Sequence, residues 1–90
     1  MQYQYRTKGT CSSEILVDLD GDTIRSVQFT GGCNGNLQGV GALVRGMKAD
    51  EVIRRFRGIR CGTKQTSCPD QLAQALLQAR QVQAAENSGK

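Results

Sequence analysis

Apolar and polar residues alternate along the first third of the chain, and a period of two marks half-buried strands. Residues 2–7 set Tyr3 and Tyr5 on one side and Gln2, Gln4 and Arg6 on the other, which predicts a short edge strand. Residues 13–19 put Ile15, Val17 and Leu19 on one face and Glu14, Leu16 and Asp18 on the other. Asp20-Gly21 follows, and an Asp-Gly pair between two such runs predicts a hairpin, because Gly accepts the positive φ of tight turns. The third strand, 23–29, carries Val27 and Phe29 on one face and Ile24 on the opposite one.

The period then changes. After the glycine-rich stretch 30–36, Leu37, Val40, Leu43 and Val44 recur at helical spacing. Gly39 and Gly41 weaken this helix by about 1 kcal/mol each relative to Ala, which suggests close backbone packing. Gly46 fits a helix stop. Asp50 and Glu51 open a second helix, whose positive end they favour, and Val52, Ile53 and Phe56 form its apolar face. Gly58 ends it, and 59–66 form a loop carrying Cys61. Thr66-Ser67-Cys68-Pro69-Asp70 combines a capping residue, a proline and a first-turn acid, which predicts the start of the longest helix. It runs from Pro69 to about Ala85, with Leu72, Leu76, Ala79 and Gln83 on one stripe, flanked by Ala73, Ala75 and Val82. Residues 86–90 read as a frayed tail. The prediction is an α+β fold, a small antiparallel three-stranded sheet followed by two or three helices packed on it, in one domain over 1–85.

Composition adds that the core is thin. Ninety residues bury only about two-thirds of their unfolded surface, and aromatics make up 4% with no Trp. A bound metal or a partner surface would help such a fold. The net charge is +4, and Arg54, Arg55, Arg57, Arg60 and Lys64 form the densest basic stretch. No aromatic platform or reading motif accompanies it, so it reads as a solvated helix face rather than a nucleic-acid site. No apolar run is long enough to cross a bilayer, and the first residues lack the apolar segment of a signal peptide. The expected location is the cytoplasm, where thiols stay reduced and a cysteine cluster reads as metal-binding or catalytic before it reads as disulfides.

The four cysteines, Cys11, Cys33, Cys61 and Cys68, hold the most distinctive chemistry. There is no His, so a Ser–His–Asp triad or a Cys–His nucleophile is excluded within this chain. Each cysteine falls at an element boundary, and boundary positions can meet at one end of a sheet. Cys33 and Cys68 lie near predicted helix starts, where the thiolate is favoured. The spacing C-x21-C-x27-C-x6-C contains no close C-x2-C pair, so spacing alone does not define a metal site. The competing reading is four small buried apolar residues. Asp70 reads as a helix-start residue rather than a catalytic one, and Asn34 and Asn36 as loop or cap residues. The glycines of 31–35 lack the Lys-Ser/Thr of a phosphate-binding loop.

Thr-Ser-Cys-Pro-Asp at 66–70, Gly-Gly-Cys-Asn-Gly-Asn at 31–36 and Gly-Ile-Arg-Cys-Gly at 58–62 resemble the TSCPD domain family from about Gly9 to Gln78. That family comprises short bacterial proteins, and a related domain ends cobalamin-dependent ribonucleotide reductases. The resemblance implies a link to deoxynucleotide synthesis but not reductase catalysis by so short a chain. The order of cysteines, hairpin and helices is also similar to iron–sulfur cluster assembly scaffolds. Their three cluster ligands would fall on Cys11, Cys33 and Cys68. The chain departs from them in Ser12-Ser13 after Cys11, in Ser67 before Cys68 and in the additional Cys61.

The functional expectation is a metal-binding module with Cys11, Cys33, Cys61 and Cys68 as ligands and zinc as the metal, since four thiolates suit tetrahedral zinc. Its role is accessory, without catalysis of its own, with a ribonucleotide reductase or a redox or cluster protein as partner. The alternatives are an iron–sulfur cluster on the same thiolates, or a thiol redox partner of the reductase with Cys68 attacking and Cys61 resolving.

Overall fold

The computed structural model describes residues 1–10, 12–32 and 34–88. Its fold is α+β, as the pattern predicts. Strands β1 (Gln2–Arg6), β2 (Ser12–Asp20) and β3 (Thr23–Gly31) form an antiparallel sheet in chain order. The Asp20↔Thr23 pairing leaves Gly21 and Asp22 as a two-residue turn, and Gly21 supplies its positive φ of 61°. Ile15, Val17 and Leu19 are fully buried on the inner face.

Two register shifts change which side chains face the core. Between Asp18↔Ser26 and Leu19↔Ile24, β3 advances two residues while β2 advances one. The extra residue reverses the alternation, so Ile24 lies on the same side as Val27 and Phe29, not opposite, and is fully buried. Between Ser12↔Gly31 and Glu14↔Thr30 the extra residue is on β2. Ser12 thereby turns inward while Ser13 is exposed.

Three helices follow: α1 (Asn34–Val44), α2 (Ala49–Phe56) and α3 (Cys68–Ser88). All contribute to a single core with the inner face of the sheet, including Val44, Val52, Ile53, Leu72 and Leu76. Thus α1 lies on β3, α3 crosses β1 and β2, and α2 packs on α3. The connection after α1 closes onto the start of β3, where Ile24 N donates to Met47 O at 2.9 Å and Gly46 N donates to Ile24 O at 2.8 Å. Ala49 N donates to Asp22 O at 2.7 Å, so α2 begins at the hairpin end and runs back along the molecule. Helix α3 continues to Ser88, three residues into the segment read as a tail.

The apolar face of α1 is narrower than its sequence implies. Leu37 and Val44 are buried, but Leu43 is 70% exposed. At 3.6 residues per turn it sits roughly a third of a turn from the stripe of Leu37, Gly41 and Val44. Gly41 is where α1 meets the sheet, because a Cβ there would lie 2.9 Å from the Val27 carbonyl oxygen. One at Gly39 would meet open space. Gly39→Ala is therefore expected to raise stability by about 0.5–1 kcal/mol. Gly41→Ala is expected to lower it by about 1–3 kcal/mol, despite the same gain in helix propensity. Urea titration of both variants checks the difference, and equal effects would contradict the close approach.

Candidate functional site

Side-chain hydrogen bonds from three segments converge on the start of α3. Ser67 caps the helix: its Oγ accepts from Asp70 N at 3.1 Å, and its carbonyl accepts the first helical bond, from Gln71 N at 2.8 Å. The same Oγ donates to Ile59 O at 2.7 Å. One hydroxyl thus caps the helix and holds the preceding loop.

Asp70 does more than favour the helix start. Its carboxylate is 8% exposed and accepts from Gly58 N at 2.7 Å and from the Thr66 hydroxyl. Gln71 completes the tie: its Nε2 donates to Thr66 Oγ1 at 3.0 Å, and its Oε1 accepts from Lys8 N at 3.0 Å. Residues 66–71 therefore fasten both the 57–66 loop and the β1–β2 loop to α3. The two loops also touch, since a Cβ on Gly9 would lie 3.2 Å from Thr66 Cγ2. Among the described residues, no buried side-chain oxygen or nitrogen lacks a hydrogen-bond partner.

Tyr5 borders this network. Burial raises its pKa above the ordinary value of 10.0, and the nearby Asp70 charge and Tyr3 push in the same direction. The folded chain keeps the Tyr5 proton to higher pH than the unfolded chain, so this contribution to stability is lost as pH rises beyond about 10.

Cys68, the first residue of α3, is 9% exposed, and its Sγ lies 3.2 Å from Ser12 Oγ. The bulge in β2 is what aims Ser12 at this sulfur. Cys61 is exposed. It sits in a turn in which Lys64 N donates to Cys61 O at 3.0 Å and Cys61 N donates to Thr66 O at 3.2 Å. Cys11 and Cys33 lie outside the described residues. Ser12, which follows Cys11, and Gly31, two residues before Cys33, are register partners at the end of the sheet where α3 begins. Among the described residues, no three Cys, Asp or Glu side chains are grouped to hold a metal.

Sequence reasoning singled out Cys68 and Asp70 but missed Ser12, Thr66 and Gln71 as partners. The capping pattern at 67–70 was a local signal. Nothing local marks Ser12 or Gln71, whose contacts cross 56 and 63 residues.

The sequence model of the TSCPD domain matches residues 1–80. The chain belongs to the TSCPD domain family. No curated protein and no solved structure matches it. No helix among the described residues is long and apolar enough to cross a membrane.

Proposed function

We propose that this protein is a thiolate metal-binding module that holds zinc through Cys11, Cys33, Cys61 and Cys68 and serves a protein partner in deoxynucleotide synthesis. The observation that carries the reading is the convergence of four chain segments on one end of the sheet. The Ser12↔Gly31 register pairs the residue after Cys11 with the residue two before Cys33. Ser12 Oγ reaches Cys68 Sγ, and Ser67 and Asp70 fasten the loop of Cys61 to the same helix start.

The residues present suit this metal. The donors are sulfurs with no His among them, and Ser12 offers a hydroxyl that can donate to the Cys68 thiolate, as outer-shell groups do in metal sites. A bound zinc would tie four segments together, a contribution of ~10–16 kcal/mol in small zinc domains. That suits a chain with a thin aromatic-poor core. The link to ribonucleotide reduction rests on the family alone. An iron–sulfur cluster needs the same four thiolates, so the test must separate the two metals.

Metal content measured by mass spectrometry on untagged, anaerobically purified protein, with a count of reactive thiols, decides the matter. One zinc per chain with unreactive thiols is expected, together with loss of metal in Cys68→Ser. Stoichiometric iron with visible absorption would replace zinc by a cluster. No metal with all thiols reactive would overturn the reading.

A further inference from the structure

The excess positive charge is not spread evenly. At the hairpin end three carboxylates have partners: Asp18 pairs with the N-terminal amine at 3.4 Å, and Asp22 and Asp50 pair with Arg80 at 3.6 and 3.3 Å. On α2, Glu51 pairs with Arg54 and Arg55 at 3.9 and 2.9 Å. At the opposite end Asp70 is buried and committed to Gly58 and Thr66. Arg57, Arg60 and Lys64 are all exposed there, and none has an ion-pair partner among the described residues. The densest basic stretch of the sequence therefore divides in two. Its first two arginines share the single carboxylate of Glu51 along α2, and its last three cations stand on the 57–66 loop.

That loop also exposes Ile59 to 41% amid the cations. Yet the loop is held in place. Gly58 N is bound by Asp70, Ile59 O by Ser67, and Cys61 N by Thr66 O. A loop tied to the start of α3 at two points and braced by a third bond within itself, while presenting an apolar side chain inside a cationic rim, loses little further freedom on binding. An apolar centre with a charged rim is the anatomy of a protein interface. Nucleic acid would call for aromatic stacking platforms. The aromatic side chains of the chain are instead packed against its core, and Tyr3 Oη donates to Gln78 Oε1 at 2.8 Å.

We propose that the 57–66 loop is a docking surface for a protein partner whose contact face carries Asp and Glu around an apolar hollow that receives Ile59. This rests on the partner-binding half of the function proposed above and does not require the metal. Charge complementarity chooses the partner's chemistry: three cations without internal partners gain most from carboxylates, which also steer the encounter.

The probe is a short fluorescent peptide in which glutamates flank two leucines, titrated with the intact chain at low and at moderate salt. A single-stranded DNA oligonucleotide is measured alongside. The combined Arg57→Gln, Arg60→Gln, Lys64→Gln variant is expected to bind the peptide about tenfold more weakly, from three partly screened ion pairs. Ile59→Ser is expected to weaken binding about threefold to tenfold through lost apolar burial. Arg25→Gln with Arg45→Gln, at the far end, should change affinity less than about twofold. Circular dichroism and metal content on every variant separate lost docking from lost folding and from failure of the metal reading. No saturable peptide binding, or equal losses in the loop and far-end variants, would overturn the proposal. So would tighter binding of the oligonucleotide that ignores Ile59→Ser, which would make the loop a phosphate-backbone site.

Discussion

Asp70→Ala is expected to lower the melting temperature by about 10–20 °C. Its carboxylate is buried and accepts two hydrogen bonds, from Gly58 N and from the Thr66 hydroxyl. Bonds to a charged acceptor contribute about 1.5–3 kcal/mol each, and removing the acceptor leaves a backbone N–H without its partner. The two bonds share one carboxylate and do not add in full, so the combined loss is about 2–4 kcal/mol. In a domain of this size each kcal/mol moves the melting point by roughly 4–8 °C, which brackets the expected shift. Asp70→Asn keeps an oxygen for Gly58 N, and the Thr66 hydroxyl can reverse its direction, so it should cost only about 1 kcal/mol. The loop should respond more than the rest of the molecule. Amide exchange at Gly58 and Cys61 is expected to accelerate in Asp70→Ala well below the melting point, because the loop opens before the sheet does. An alanine variant that melts within a few degrees of the parent would show that Asp70 does not hold the loop.

The second large effect is expected in the core. Leu76 is fully buried in the cluster where α3 meets the sheet and α2. Truncating a leucine in such a place loses transfer free energy and leaves a cavity, at about 2–5 kcal/mol. Leu76→Ala is expected near the middle of that range, a large fraction of the roughly 5–13 kcal/mol typical for 90 residues. Urea unfolding with an unchanged slope and a lower midpoint is the expected signature. An effect below about 1 kcal/mol would mean that the core around α3 closes over the gap. Repeating the measurement with added zinc and with a chelator distinguishes core packing from stabilisation by the thiolate site proposed above.

Asp70 and Leu76 lie on one helix and act at different ranges. Leu76 belongs to a stripe that helical spacing predicts, and its burial follows from the amphipathic pattern of α3. The role of Asp70 depends on Gly58, twelve residues away in sequence. Its position in the first turn announced a helix start, which it serves, but gave no sign of the loop it fastens. The surroundings of Cys68 divide the same way. That Cys68 stands at the start of a helix was legible in the chain. That Ser12 turns inward to meet Cys68 depends on the strand that β2 pairs with.

The sequence by itself determined the elements and their punctuation. Alternation set the strands, Asp20-Gly21 the hairpin, Gly46 and Gly58 the ends of α1 and α2, and 67–70 the beginning of α3. These follow from local backbone preferences and from side-chain periodicity, which each segment carries alone. Only the tertiary structure decided the two bulges, because an extra residue on one strand has meaning only against its partner. Those bulges placed Ile24 in the core and Ser12 beside Cys68. It also decided that Leu43 faces solvent, since the width of a buried stripe is set by what a helix packs against. The pairing of Arg54 and Arg55 with Glu51 is local, three and four residues apart on one helix, but that Arg57, Arg60 and Lys64 meet no carboxylate among the described residues was decided by the tertiary structure, because charge pairing between elements depends on distance in space.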